Sequence, residues 1–218
     1  MNGDMDPTLA GELQDLLKDG YALLRKGDIS GAARNCQQAL NKKADLVPAH
    51  FLVGLVALEG KDRKTAFSAL KTVVKLDPDH GAAWAHLAKL YMSEGQVNLA
   101  DSALRETLRT KPNVPVVLDM IGTTLSLMGE YDAAQAFYKQ ATDQRPDHPS
   151  FLQNLANNLV YQGDTAGAEA VFKRIIDLQP ALLIRVFGPG HDQDARRPVH
   201  HRKRAQDIVL VKNVLFGD

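Results

Sequence analysis

The chain has 218 residues and a mass of 23.9 kDa, with 44% hydrophobic and 24% charged side chains, enough to bury one or two cores. Its 26 Lys and Arg balance 26 Asp and Glu at a pI of about 7.1, so it lacks the positive field that a dedicated nucleic-acid binder uses. The single cysteine, Cys36, excludes an internal disulfide and a four-thiolate zinc site, and no uncharged run is long enough to span a membrane.

The N-terminal stretch MNGDMDPTLAGELQDLL has no basic flank and no unbroken apolar run, so a signal peptide is not expected and a cytoplasmic setting is. Residues 1–12 are expected to add helix before the repeats, with Thr8 as a cap after Pro7. Beyond them a period governs the chain. Pro78, Pro112, Pro146 and Pro180 stand 34 residues apart, and Ala32, Ala66, Ala100, Ala134 and Ala168 form a second ladder at that spacing. Gly27, Gly95, Gly129 and Gly163 share the register, and Lys61 takes the equivalent place beside Gly60.

Five units follow, at 13–46, 47–80, 81–114, 115–148 and 149–182. The first carries Asp19 where the others are apolar and Ala44 where proline is expected. The second reads His50, Val53, Gly54, Ala57, Ala66, Leu70, Val73 and Pro78. In the third, Trp84, Leu87, Ala88 and Tyr91 recur at three- and four-residue steps, the mark of one helical face. Ala100, Leu104, Thr107 and Leu108 restart that rhythm in a second helix, which stops before Lys111-Pro112. The fourth reads Leu118, Ile121, Gly122, Leu125, Ala134, Tyr138, Ala141 and Pro146, and the fifth Leu152, Leu155, Ala156, Leu159, Ala168, Phe172, Ile175 and Pro180. Each unit is therefore a helical hairpin. Gly or Ala at its eighth and twentieth places lets the two helices approach closely.

After Pro180 the repeat ends. Leu183, Ile184, Val186 and Phe187 would open a further helix, but Gly188-Pro189-Gly190 breaks it. The segment 183–218 is a non-repeat tail with seven basic and four acidic residues, closing on the strand-like IVLVKNVLF. This foreign ending suggests a second domain cut short or an out-of-frame end. Without a polar cap, Leu183, Val186 and Phe187 would leave an apolar edge through which the chain self-associates.

These units resemble the tetratricopeptide repeat, over about 170 residues of the chain. The resemblance implies an all-α, right-handed superhelical solenoid of five hairpins with an irregular tail. It also implies that the first helix of each unit lines a concave groove that binds a protein or peptide partner. The residues at the implied groove places are Lys18, Tyr21 and Arg25 in the first unit and Phe51 and Leu55 in the second. They continue with His86 and Lys89 in the third, Asp119, Met120 and Thr123 in the fourth, and Gln153, Asn154, Asn157 and Tyr161 in the fifth. Aromatics there offer flat apolar contact, while Lys89 and the asparagines offer donors to an extended backbone or a carboxylate. Some family members grip a C-terminal carboxylate with Lys and Asn on successive units; here Leu17 and Tyr21 occupy the opening places, so that mode is not expected.

Other residues are better read as structure. Trp84 fills the large packing place of its unit, and Cys36 falls where the second helix wants a bulky apolar residue, so a buried, inert thiol is expected. There is no HExxH, phosphate loop or GxSxG, so no enzyme activity, cofactor or metal is expected from this chain; His191, Asp192 and Asp194 form only a weak metal pattern. The basic tail lacks interleaved aromatics for stacking on bases, so no specific nucleic-acid partner is expected. The function expected is a non-enzymatic scaffold. The alternative is the recognition region of a larger repeat-fused transferase of sulfotransferase or glycosyltransferase type, whose catalytic residues lie outside this chain.

Overall fold

A computed structural model describes residues 6–178. Tail residues 183–218, including Leu183, Val186, Phe187, His191, Asp192 and Asp194, lie outside the described residues, as does Pro180. Ten helices and no strand occur among the described residues. They pair as α1 (Pro7–Arg25) with α2 (Ile29–Lys42), α3 (Val47–Glu59) with α4 (Arg63–Leu76), and α5 (Gly81–Ser93) with α6 (Val97–Arg109). Then α7 (Pro115–Leu127) pairs with α8 (Tyr131–Gln144), and α9 (Pro149–Gln162) with α10 (Thr165–Leu178). The chain divides into two compact units, Met1–Pro112 with α1 to α6 and Asn113–Asp218 with α7 to α10. No helix among the described residues is long and apolar enough to cross a membrane.

The turn inside each hairpin follows from two short-range effects. Gly27, Gly95, Gly129 and Gly163 all have φ between 71 and 87°, the left-handed region in which a side chain is strained. Lys61, at the same place in the second hairpin, is held at φ 60° although it carries a Cβ. The next residue stands at the cap position just before the second helix. Asp28, Asp62 and Asp164 each cap it, accepting the N–H three residues on at 2.8, 3.1 and 2.9 Å. Gln96 and Glu130 stand at equivalent places and make no such side-chain bond.

At the N-terminus the cap is Asp6 rather than Thr8. Asp6 Oδ1 accepts the Thr8 N–H at 2.9 Å, and Pro7 fills the first helical position, where a missing N–H costs nothing. Thr8 is thereby inside α1, which runs unbroken from Pro7 to Arg25.

Packing depends on the small residues. Ala32, Ala66, Ala100, Ala134 and Ala168 are all 0% exposed. Opposite them, a Cβ added to Gly54 would come within 3.0 Å of the Leu70 side chain, and one added to Gly122 within 2.8 Å of the Tyr138 ring. In the first unit, Ala32, Cys36, Leu52 and Val56 form a core against which Tyr21, Leu24 and Ile29 pack. In the second, Ala134 and Tyr138 join Leu152, Leu155, Ala156, Phe172 and Ile175. Cys36 is 1% exposed, and burial pushes its thiol up to about 11, so it is a packing group and not a nucleophile at neutral pH. Trp84 is half-buried, and its indole N–H donates to the Pro78 carbonyl at 2.8 Å, tying the third hairpin to the loop before it.

Asp19 marks an edge of the fold. The equivalent places in later hairpins hold Val53, which is half-buried, and Leu87, Ile121 and Leu155, which are buried. Among the described residues no hairpin precedes α1, and both Asp15 and Asp19 are exposed. A polar outer face is what the first hairpin of such a stack needs.

Because Lys61 occupies a left-handed position that its four counterparts fill with glycine, Lys61→Gly should stabilise the protein. The expected gain is roughly 0.5–1 kcal/mol after the entropic cost of glycine is subtracted, read from denaturant melts. A loss of stability would contradict this account of the turn.

Candidate functional site

Within each unit, some of the first-helix places expected to line a groove come together. In the first unit, Phe51 of α3 lies beside His86 of α5, ring centroids 5.9 Å apart, and closer still to His80, at 4.5 Å. In the second, Asn154 Nδ2 of α9 donates to both carboxylate oxygens of Asp119 on α7, at 2.9 and 3.0 Å. Both pairs join residues 35 apart, the fifth place of one hairpin and the sixth of the next. That spacing is one repeat plus one residue, and it is the signal in the sequence that could have predicted these contacts.

In the first unit, Lys18 and Arg25 on α1 and Lys89 on α5 are exposed, and none of the three forms an ion pair among the described residues. Leu55 is half-buried. Tyr21 is shared between surface and core: it packs on the Cys36 cluster, and burial raises its hydroxyl pKa, with Cys36 adding to the effect. His86 is also part of the packing. Desolvation, helped by the neighbouring charge of Lys89 and by His80, pushes its imidazole down to about 4. At neutral pH His86 is thus an uncharged, flat surface beside Phe51. His80 caps α5 through Nδ1, which accepts the Ala83 N–H at 3.1 Å.

In the second unit, much of the polar face is already engaged. Thr123 donates to the Asp119 carbonyl at 2.9 Å, and Tyr138 reaches the Thr123 hydroxyl at 3.4 Å. The Tyr138 hydroxyl is pushed up to about 12, by burial first and then by the nearby Asp119 charge, so it stays protonated. Gln153 Nε2 donates to Asn157 Oδ1 at 2.9 Å, which leaves the Asn157 N–H groups outside that bond. Met120, expected on the surface, is instead 5% exposed. Asn158 is likewise buried, and its Nδ2 donates to the Tyr131 carbonyl at 2.9 Å. Tyr161 is 51% exposed and stacks on Tyr131 at 5.4 Å and 15°, a pairing across two helices that no local pattern announces.

The five helix pairs among the described residues, closed by small residues at fixed places, define an α-helical repeat protein. The tetratricopeptide-repeat family profile matches residues 57–121 and 125–183, more than half of the chain. The chain belongs to the tetratricopeptide-repeat family. A stretch of 90 residues is 29% identical to human Superkiller complex protein 3, covering 41% of this chain but only 6% of that protein's length. Among solved structures, TTC0263, a thermophilic tetratricopeptide-repeat protein of Thermus thermophilus, superposes with a TM-score of 0.67 at 22% identity, over 91% of this chain and 99% of that one. YrrB, described as a tetratricopeptide-repeat protein with an unusual peptide-binding site, has a TM-score of 0.53 at 19% identity over 76% of this chain and 85% of its own. Likenesses at these identities bear on the fold alone.

His86 supplies the pH dependence of the first unit. Its folded pKa lies below the unfolded value near 6.5, so its contribution is fully present above pH 6.5 and is lost as pH falls toward about 4. A proton-NMR titration should find the His86 ring still neutral at pH 5.5. The His86→Gln variant should lose less stability than the wild type between pH 7 and pH 4, the difference being up to roughly 3 kcal/mol. A ring that titrates near 6.5 would contradict the burial described.

Proposed function

We propose that this chain is a non-catalytic scaffold that takes a segment of a partner protein against the inward faces of its first helices. The observation that carries the proposal is the set of side chains on those faces that the fold leaves free for contact. Lys18, Arg25 and Lys89 are exposed and outside any ion pair among the described residues, and Asn157 keeps its amide donors. In the first unit, Phe51, Leu55 and the neutral His86 add apolar area. An extended segment needs this mixture: donors for its carbonyls and carboxylates, and flat surface for its side chains. Family membership supports a protein or peptide partner, and the description of YrrB supports a peptide-binding use of this fold.

We take the repeats that carry this surface to run over 13–46, 47–80, 81–114, 115–148 and 149–182, with 183–218 as a separate basic tail. A cytoplasmic setting suits a chain whose one thiol is buried and unpaired.

A random-peptide display library panned against the full chain supplies ligands without knowledge of the natural partner. Peptides recovered should bind the wild type and lose at least about tenfold in affinity to Lys89→Glu combined with Asn157→Ala, by fluorescence anisotropy. The thermal melt of this double variant should stay close to the wild type, because Lys89 is exposed and half-buried Asn157 gives up only one bond, to Gln153 of its own helix. Recovered peptides that bind both proteins equally would move the site off these faces.

A further inference from the structure

The Tyr131–Tyr161 stack has a setting that the hairpin packing does not require. Tyr161 lies in the last turn of α9 and Tyr131 begins α8, and the rings lie 5.4 Å apart and nearly parallel. One face of Tyr161 is covered by Tyr131, yet the residue remains 51% exposed. Beside it, Gln162 donates from Nε2 to Asp132 Oδ1. Beneath it, Asn158 turns Nδ2 to the Tyr131 carbonyl at 2.9 Å and to Gln162 Oε1 at 3.4 Å. Asn158 is 1% exposed and its Oδ1 has no hydrogen-bond partner, so the cluster holds a buried acceptor that lacks a donor.

The charge around this cluster has one sign. Glu130 and Asp132 flank Tyr131 and are exposed, and neither meets a Lys or Arg among the described residues. From Asn113 to Leu178 the chain has eight acidic and four basic residues. Of the four basic ones, Lys173 and Arg174 are engaged with Glu169 and Asp147 on α10 and its neighbouring loop. A helix N-terminus favours carboxylates in its first turn, which accounts for Asp132. It gives no reason for a large, half-exposed aromatic pair beside them.

We propose that the Tyr131–Tyr161 stack, with Asp132 and Glu130, binds an arginine side chain of the partner segment. A guanidinium laid on the exposed side of Tyr161 would gain both stacking and cation–π attraction, and its fork of donors would suit the carboxylate of Asp132, which Gln162, the residue after Tyr161, already contacts. Lysine offers only a point charge and no plane. The assignment rests on the scaffold reading above and names the chemistry that the second unit selects.

The test uses the full chain and three fluorescein-labelled twelve-residue peptides, (Arg-Ser)6, (Lys-Ser)6 and (Glu-Ser)6, followed by anisotropy. The arginine peptide should bind about fivefold or more tightly than the lysine peptide, and the glutamate peptide should not bind. Tyr161→Ala and Asp132→Asn should each cut arginine-peptide binding about fivefold or more, whereas Tyr161→Phe should restore it, since the ring and not the hydroxyl does the stacking. Asp132→Asn keeps size and shape, so it reports even if Tyr161→Ala unfolds. Arginine-peptide binding that is unchanged in both variants, or no tighter than that of the glutamate peptide, overturns the assignment. Neither result touches the scaffold reading, which is judged by the Lys89 and Asn157 variants with library peptides.

Discussion

Each hairpin depends on a contact in which almost nothing stands between two helices. Ala32, Ala66, Ala100, Ala134 and Ala168 are fully covered, and the facing eighth places hold Gly20, Gly54, Ala88, Gly122 and Ala156. Interhelical distance is set by the side chains at the crossing, so small residues here draw the pair close enough for larger neighbours to interlock. Tyr138 packs against Gly122 because that place has no Cβ. The rest follows from this closeness: the left-handed turn that reverses the chain, the aspartate that caps the second helix, and the first-helix face left for other uses.

The repeat makes this constraint legible, since a contact that recurs every 34 residues prints a ladder in the sequence. Helices, turns and pairing are readable for that reason. Asp19 is readable only as a mismatch. Its meaning comes from being at the exposed outer face of the first hairpin, where the apolar residue of later units would be in water. Thr8 misleads as a cap because Asp6 offers a better acceptor one residue before Pro7. Met120 misleads because a residue on the margin of a helical face can turn to either side, and here the core takes it.

The candidate surface is less legible than the fold. Position in the repeat predicts that Asn154 and Asp119 face inward, but not that they satisfy each other, which depends on two side chains in adjacent hairpins. The same holds for His86, whose neutrality comes from burial beside Phe51 of α3, with Lys89 of its own helix and the capping His80 adding to the effect. A buried group that is already paired stabilises the fold and leaves less for a partner. Sorting inward residues by what the fold consumes therefore narrows the surface: Lys18, Arg25, Lys89, Asn157 and Tyr161 keep unused contact capacity, while Asp119, Thr123 and Asn154 already hold hydrogen bonds within the fold.

The most direct measurement of the central constraint is the stability of Ala134→Leu, with circular-dichroism melts and denaturant titration on the full chain. Ala134 is 0% exposed and shares a core with Tyr138, Leu155 and Phe172, so three added carbons have no room. The account predicts a loss of about 1–3 kcal/mol. A melt unchanged from the wild type would mean that the helices are not held by close approach at this place, and the register of the whole ladder would have to be redrawn.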